Sequence, residues 1–318
     1  MKKITQQNII LSILENFVRS NIYLFIFSRY ITNKFFSKII YETDFNILYY
    51  LKDTNFFSKK SVLDIGANDG ISVKIIRKFI KNKIISFEPN IENYNKIKKL
   101  KKKINDLSIY NIGLSNKVSN KVNIYEAHFK KYHLSPFDSL SKNNVIKHLE
   151  DSLFIKNIKK IISIKKTFVK INKLDNFELS PCFIKIDIQG HEYECIKGSV
   201  NTIQKHKPII MVEYDNLIIL KNFDLYISLT RDFEGFGYSI AEALYLGLPV
   251  ISTKVGGVVE FLNKNNAELI QPQDIKNLKK LLENFPFNKS YWKKKANNGK
   301  KLIVKKFNSE EMSKKYYN

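Results

Sequence analysis

Residues 62–70 read Val62-Leu63-Asp64-Ile65-Gly66-Ala67-Asn68-Asp69-Gly70. An apolar run ends here in two glycines, and a segment with helical spacing follows them. Glycine at such a turn lets the backbone bend sharply and lets a ligand approach the main chain. The stretch therefore predicts a strand, a ligand-binding loop and a helix in that order.

The charges beside this loop indicate which ligand it binds. Dinucleotide-binding loops carry Gly-x-Gly-x-x-Gly and seat a pyrophosphate on a helix N-terminus. Here the spacing is Gly66-x-x-x-Gly70, and Asp64 and Asp69 would repel a pyrophosphate. Carboxylates suit the ammonium group of a cofactor that carries an amino acid. Glu88 lies 24 residues after Asp64, at the end of the next apolar run, and is expected to accept hydrogen bonds from ribose hydroxyls.

Beyond the loop, short β-branched runs alternate with lysine-rich helical segments, a pattern typical of βαβ units with a parallel sheet. We predict an α/β fold with a Rossmann-like sheet. Strands are expected near 61–65, 83–87, 107–112, 121–125, 182–187 and 208–213. Helices are expected near 71–81, 91–103, 144–161 and 191–205.

The pattern changes at both ends of this region. Residues 8–52 have apolar groups at helical spacing and predict helices that pack on the following domain, with an interfacial amphipathic helix as the alternative. After Tyr214-Asp215, a new strand leads into glycine-rich sequence. We therefore divide the chain into a helical segment, a Rossmann-like domain and a partial α/β domain, at residues 1–50, 51–216 and 217–318.

Three blocks of this sequence resemble the FkbM family of methyltransferases: residues 63–70, then Phe87-Glu88-Pro89, then residues 185–192. The resemblance implies that S-adenosylmethionine is the cofactor and that its methyl group passes to an oxygen, commonly a sugar hydroxyl of a polysaccharide, lipopolysaccharide or secondary metabolite. The cofactor-binding residues would be Asp64, Gly66, Asn68, Gly70 and Glu88.

The candidate catalytic residues follow the later strands. Asp187 ends a strand at the edge where open α/β sheets place their chemistry, so we expect it to organise the acceptor hydroxyl. Capping of the helix that follows is a competing role for it. His191 and Glu213 are further candidates to accept the proton, as is Glu192. Gln189 stands where the family usually has an acid, and an amide cannot act as a base.

A second resemblance covers residues 222–272. This part is similar to the C-terminal domain of family-4 (group 1) GT-B glycosyltransferases, which implies a nucleotide-sugar site at Glu234, Gly235, Gly237 and Glu242. Gly235 and Gly237 would leave backbone amides facing a sugar, and Glu242 is expected in the first turn of a helix that Gly247 ends. The upstream half of such a domain, which holds the diphosphate, has no equivalent here.

Half of a parallel sheet exposes an unpaired strand edge. We expect residues 225–229 and 249–253 to pair with the methyltransferase sheet beyond Glu213. Dimerisation through that edge and a fused fragment that barely folds are the alternatives.

Composition limits the remaining possibilities. The 318 residues carry a net charge of +24, but lysine is spread along the whole chain, so no nucleic-acid partner is expected. Peripheral attraction to acidic lipid or anionic glycan remains open. Two cysteines and no ligand cluster with suitable spacing give no reason to expect a metal. The nine residues 20–28 are too few to cross a bilayer, which takes about 20, so we expect a soluble protein. Two cysteines without a CxxC pair fit a reducing cytoplasm, so we expect a cytoplasmic protein, with peripheral attachment to the inner membrane face as an option.

The sequence thus favours an O-methyltransferase that acts on a sugar-containing acceptor. The rival hypotheses are a glycosyltransferase or nucleotide-sugar-binding protein, and a non-catalytic scaffold in surface-glycan assembly. The identity of the acceptor and the oligomeric state are not encoded in any pattern we can identify.

Overall fold

The computed structural model describes residues 16–31, 45–51, 60–214, 217–231 and 234–307. They form two compact units. The first contains the described residues up to 31 together with 60–214, and the second contains residues 45–51 together with those from 217 onward. The second unit is therefore built from two separate pieces of chain.

Two helices near the N-terminus are α1 (Ile22–Ile31), in the first unit, and α2 (Asn46–Leu51), in the second. The remaining elements of the first unit follow in chain order. Its strands are β1 (Ser61–Ile65), β2 (Ile84–Phe87), β3 (Leu107–Tyr110), β4 (Gly113–Leu114), β5 (Ser119–Phe129), β6 (Tyr132–His133), β7 (Ser163–Asn172), β8 (Pro181–Ile186) and β9 (Ile209–Val212). Its other helices are α3 (Ile71–Phe79), α4 (Ile91–Leu100), α5 (Lys142–Ser152), α6 (Ile158–Ile161), α7 (Glu192–Lys197) and α8 (Val200–His206).

The central sheet has the order β3-β2-β1-β8-β9, and every pair in it is parallel. All residues of β2 and β8 are buried, as expected when helices cover both faces of a parallel sheet. The strand order turns back between β1 and β8. In open α/β sheets, the crevice at such a reversal, outside the carboxyl ends of the strands, is where ligands bind. The loops after β1 and β8 meet there.

A second sheet, with the order β4-β7-β5-β6, was only partly predicted. The expected strand at 121–125 is the middle of β5, which pairs antiparallel with β7 and β6. β7 was missed because its lysines obscure the alternation of buried and exposed residues. The helix expected at 144–161 is two helices, α5 and α6.

The helix expected at 191–205 is also interrupted, at Gly198-Ser199 between α7 and α8. A side chain at Gly198 would place its Cβ 1.9 Å from the backbone oxygen of Ser115, so the chain needs glycine at this close approach.

The second unit contains a parallel sheet of its own. Its strands are β10 (Tyr226–Ser228), β11 (Val250–Thr253) and β12 (Glu268–Ile270), in that order. Its remaining helices are α9 (Tyr238–Leu246), α10 (Ile275–Asn284) and α11 (Lys289–Lys306). The expectation that residues 225–229 and 249–253 extend the methyltransferase sheet is therefore wrong. Among the described strands, β9 pairs with β8 alone, and β10 satisfies its backbone by pairing with β11.

The N-terminal helices divide between the units. Ile22 of α1 packs with Ala127 and Phe129 of β5, which agrees with the prediction of packing on the following domain. That prediction is wrong for α2, which packs on α10 of the second unit. Leu48 and Leu51 of α2 are buried, and the hydroxyl of buried Tyr50 accepts a hydrogen bond from the backbone N–H of Gln273. None of the described helices is long and apolar enough to cross a membrane.

Candidate functional site

The loop after β1 has the backbone that its glycines require. Gly66 and Gly70 have φ of +77° and +83°, and Asn68 between them has φ of +48°. A Cβ at Gly66 would lie 1.9 Å from the backbone oxygen of Asp187, so only glycine lets this loop lie against the end of β8. Gly70 then caps α3. The loop and Asp187 are thereby held next to each other.

Glu88 lies under the same loop, at the end of β2. Its carboxylate accepts hydrogen bonds from the backbone N–H of Asn68, at 2.7 Å, and of Asn90, at 2.9 Å. Burial raises the pKa of Glu88 to about 7, although the two backbone hydrogen bonds oppose that increase. Each carboxylate oxygen keeps a second lone pair, so both can still accept a hydroxyl.

Asp64 is completely buried in β1. Its Oδ2 accepts a hydrogen bond of 2.6 Å from the Ser72 hydroxyl, and its Oδ1 lies 3.6 Å from Nζ of Lys185. Burial raises the pKa of Asp64, and the Lys185 ammonium and the Ser72 hydroxyl oppose the increase. The carboxylate thus holds Ser72 and Lys185 beneath the loop. Direct contact with a cofactor ammonium stays a prediction.

Lys185 links the two sides of the site, and sequence analysis gave it no role. Its ammonium donates 2.9 Å to the backbone oxygen of Gly66 and lies 3.2 Å from Oδ2 of Asp187. A lysine in the middle of a buried strand was the available signal, because a buried ammonium needs charged or polar partners. Its neighbours Asp64 and Asp187 supply them.

Gln189 joins the two acids that end β8 and follow β9. Its side-chain amide donates 2.8 Å to Oδ1 of Asp187 and lies 3.5 Å from Oε2 of Glu213. Burial acts to raise the pKa of Asp187, but Lys185 and Gln189 outweigh it, so the pKa of Asp187 is lowered. The amide at this position therefore lets two carboxylates share one donor, where a third acid would repel both.

His191 and Glu192 are both bound to their surroundings. The His191 ring lies 2.9 Å from the Ser115 hydroxyl, and burial lowers the pKa of His191. The Glu192 carboxylate accepts hydrogen bonds from the backbone N–H groups of Ile188 and Gly190. Glu192 thus satisfies the turn before α7, and Asp187 does not cap that helix, whose N-cap residue is His191. Of the three predicted catalytic residues, Asp187 and Glu213 share the Gln189 amide, and His191 is bound to Ser115 instead.

In the second unit, the predicted nucleotide-sugar residues surround the start of α9. Gly235 is exposed, and Gly237 caps the helix with φ of +69°. The backbone oxygen of Glu234 accepts a hydrogen bond from Gly257, and a Cβ at Gly256 would lie 1.9 Å from that oxygen. The prediction that Glu242 lies in the first turn is wrong, because α9 begins at Tyr238 and places Glu242 in the second turn.

Comparison with known proteins gives two family matches. The FkbM methyltransferase domain matches residues 64–239, more than half of the 318 residues. The group 1 glycosyl transferase domain matches residues 184–315, which overlap the end of the first match. No curated protein matches the chain.

Three solved structures illustrate the similarity. Methyltransferase FkbM from Methylobacillus flagellatus KT is 16% identical, with a TM-score of 0.31, over 57% of this chain and only 36% of its own. The C-terminal domain of the group 1 glycosyl transferase LpcC from Francisella tularensis is 21% identical, with a TM-score of 0.31, over 40% of this chain and 69% of its own. HepE from Anabaena, in complex with UDP and glucose, is 13% identical, with a TM-score of 0.33, over 81% and 71%.

The glycine loop, the acid after β2 and the central sheet except the first three residues of β1 lie within the segment that the methyltransferase domain matches. The C-terminal similarity to group 1 glycosyltransferases, predicted from residues 222–272, is confirmed by the second match. Because the FkbM methyltransferase domain matches more than half of the length of this chain, the chain belongs to the FkbM methyltransferase family.

Proposed function

We propose that this protein is an S-adenosylmethionine-dependent O-methyltransferase that methylates a sugar hydroxyl of a polysaccharide, a lipopolysaccharide or a related glycan. The observation that carries the proposal is the position of Glu88. Its carboxylate lies under the glycine loop, oriented by two backbone N–H groups, with lone pairs left for two ribose hydroxyls.

The residues around the loop also fit the rest of that cofactor. Gly66 and Gly70 provide a backbone without side chains, and Oδ1 of Asn68 is buried and accepts no hydrogen bond from the described residues. A buried acceptor without a donor is costly, and an ammonium or hydroxyl group of the ligand would supply one.

The acids after β8 and β9 suit the acceptor side of the reaction. The cofactor, when bound, supplies an electrophilic methyl group on a sulfonium. As the new C–O bond forms and the C–S bond breaks, the acceptor hydroxyl must lose its proton. Asp187, whose pKa is lowered, is ionised at neutral pH and can accept that hydroxyl's hydrogen bond. Because the oxygen becomes strongly acidic during transfer, a carboxylate of low pKa suffices to take the proton.

Calorimetric titration of the full chain with S-adenosylmethionine tests the proposal. We expect binding that weakens in Glu88→Ala and in Asp64→Ala, because each loses a charge-assisted contact worth about 1.5 to 3 kcal/mol. Asp151→Ala, at an exposed position on α5 outside the loop, is the matched control and should bind as the unchanged chain does. Unchanged affinity in both test variants would remove the site assignment. Methyl transfer is then tested with a methyl-labelled cofactor and glycan acceptors.

A second candidate function rests on the C-terminal match. The exposed backbone of Gly235, fixed by the contact of Glu234 with Gly256 and Gly257, supports binding of a nucleotide sugar. Titration with UDP-glucose separates the hypotheses. Binding of the nucleotide sugar alone would favour the glycosyltransferase or binding-protein hypothesis, and binding of neither ligand would favour a scaffold.

A further inference from the structure

The hairpin of β5 and β6 brings together three polar side chains from residues 126–133. Glu126 and His128 are two residues apart on β5, so they lie on the same face, and His133 of β6 is paired with His128. The two imidazole rings are stacked, with centroids 4.8 Å apart. The spacing Glu126-x-His128-x4-His133 does not by itself predict this group, because the hairpin that pairs His128 with His133 brings the two imidazoles together.

The Glu126 carboxylate is oriented by neighbours outside the hairpin. Its Oε1 accepts hydrogen bonds from the side chains of Asn90, at 2.8 Å, and Thr167, at 2.9 Å. Its Oε2 lies 3.3 Å from Nε2 of His128. The exposed fractions are 13% for the Glu126 side chain and 6% for His128. One oxygen is thus fixed by donors, and the other faces the imidazole.

His133 is oriented by a carboxylate in the same way. Its Nε2 lies 2.8 Å from Oδ2 of Asp138, and both side chains are less than a tenth exposed. With Nε2 bonded to Asp138, Nδ1 is the ring nitrogen that can bind a cation when the ring is neutral. That atom is buried, makes no hydrogen bond with the described residues and lies 3.3 Å from a carboxylate oxygen of Glu92.

We propose that Glu126, His128 and His133 bind one divalent transition-metal ion of the zinc class. Each residue offers one ligand atom, and the three atoms all lie within 4.8 Å of one another. Oε2 of Glu126 lies 3.3 Å from Nε2 of His128. Two ligand atoms of a tetrahedral ion, each bonded at about 2.0–2.1 Å, lie about 3.3 Å apart, so this distance fits a shared ion. Two imidazoles and a carboxylate are typical ligands of zinc.

The surroundings of the cluster match those of known metal sites. A carboxylate that holds the second nitrogen of a ligating histidine fixes its tautomer and orientation, and Asp138 does this for His133. Asn90 also connects the cluster to Glu88, since its backbone N–H donates to Glu88 and its side chain to Glu126. Asn90 therefore contacts three carboxylates, Glu88 through its backbone N–H and Glu126 and Asp138 through its side-chain amide, and a divalent cation would offset their mutual repulsion.

The ion would lie beside the proposed reaction site. Ser139, the residue after Asp138, donates 2.8 Å to the backbone oxygen of Gln189. With three protein ligands, the ion keeps an open position for an oxygen of the acceptor. That role rests on the proposed methyl transfer, whereas binding of the metal does not.

Calorimetric titration with ZnCl₂ tests the site. The full chain is first freed of metal with a chelator. We expect one ion per chain, and a loss of affinity of at least about 100-fold in His128→Gln and in His133→Gln. Asp138→Asn, which keeps all three ligands, should weaken binding by about 10- to 100-fold. His206→Gln, on α8 outside the cluster, is the matched control and should bind zinc as the unchanged chain does.

Co²⁺ gives a second readout, because a tetrahedral site with nitrogen ligands produces visible absorption that the two histidine variants should lose. Absence of both heat and absorption in the unchanged chain would overturn the proposal, and so would equal binding in the histidine variants. Circular dichroism of the metal-free variants shows whether they are folded, and if they are not, the Asp138→Asn titration decides. Titration of the metal-free chain with S-adenosylmethionine separates this result from the proposed function, since either ligand can bind without the other.

Discussion

The side-chain amide of Gln189 donates a hydrogen bond of 2.8 Å to the Asp187 carboxylate. The family resemblance implies an acid at this position, and an amide cannot act as a base. Its geometry indicates a different role, because the same amide also lies 3.5 Å from Glu213. Burial opposes ionisation of Asp187, and the neutral Gln189 amide, together with Lys185, lowers the pKa of that carboxyl.

Substitution Gln189→Glu is expected to raise the pKa of Asp187, because it removes a donor and adds a like charge. In the unchanged protein, the pKa of Asp187 in the folded state lies below its unfolded value of about 3.9. The ionised carboxylate therefore stabilises the fold at pH values above about 3.9, and this stabilisation is lost as the pH falls through the folded pKa. In the variant this loss should begin at higher pH. Because the Asp187 side chain is 39% exposed and solvent screens its charge, we expect Gln189→Glu to lower the free energy of unfolding at pH 7 by about 1 kcal/mol.

Chemical denaturation between pH 3 and 7 measures this effect. Gln204→Glu makes the same change at an exposed position on α8 and is the control. Identical pH dependence in the two variants would show that Gln189 does not act on Asp187.

Ionisation of Glu88 changes the free energy of unfolding with pH in the opposite direction. Because burial raises its pKa to about 7, its ionisation costs stability, and the free energy of unfolding should fall as the pH rises from about 4.3 towards 7. Binding of ribose hydroxyls needs the ionised carboxylate, so the affinity for S-adenosylmethionine should rise about tenfold per pH unit up to 7 and then level off.

Calorimetry at several pH values measures this rise. Glu88→Gln should bind more weakly and lose the pH dependence, while keeping the shape of the side chain. A persisting rise in the variant would assign the titration to another group.

The central sheet was predictable because its strands are apolar runs followed by glycine, acid or turn residues. Asp64, Glu88 and Asp187 could be placed at strand ends from that pattern alone. The burial of Asp64 and the central position of Lys185 were not predictable, because they depend on which strands become neighbours. The pairing of β5 with β7 and the packing of α2 on α10 join distant segments, and no local pattern records such contacts.

Cutting the chain after Asn216 is expected to produce an aggregating protein. The cut removes α10, on which α2 packs, and exposes its buried side chains, of which Leu48 and Leu51 are worth about 1.5 to 3 kcal/mol each. The expected instability therefore comes from the packing of α2 on α10, and not from the predicted pairing of residues 225–229 and 249–253 with the methyltransferase sheet. Size-exclusion chromatography and thermal unfolding provide the measurement.

A matched variant of the shortened chain carries Leu48→Lys and Leu51→Lys and should remain soluble, because it presents no apolar face. If the unsubstituted residues 1–216 unfold cooperatively and bind S-adenosylmethionine like the full chain, the second unit is a dispensable appendage.

The second unit is expected to transfer no sugar. The resemblance to GT-B enzymes does not extend to the upstream half that would hold the donor diphosphate, so a phosphate leaving group would lack electrostatic stabilisation. Incubation of the full chain with labelled UDP-glucose and glycan acceptors measures transfer. Activity that disappears in Glu242→Ala but persists in Glu260→Ala, an exposed acid of the same unit, would contradict this expectation.

The hydrogen bond between Tyr50 and Gln273 joins residues 223 positions apart. During synthesis at about 5 to 20 residues per second, α2 leaves the ribosome roughly 10 to 45 s before its partner exists. Synthesis of the first unit is completed in that interval, whereas the second unit can close only after residue 273 has been made. Its assembly therefore reports that translation has passed residue 273, and a stalled ribosome upstream would leave Leu48 and Leu51 exposed to chaperones and proteases.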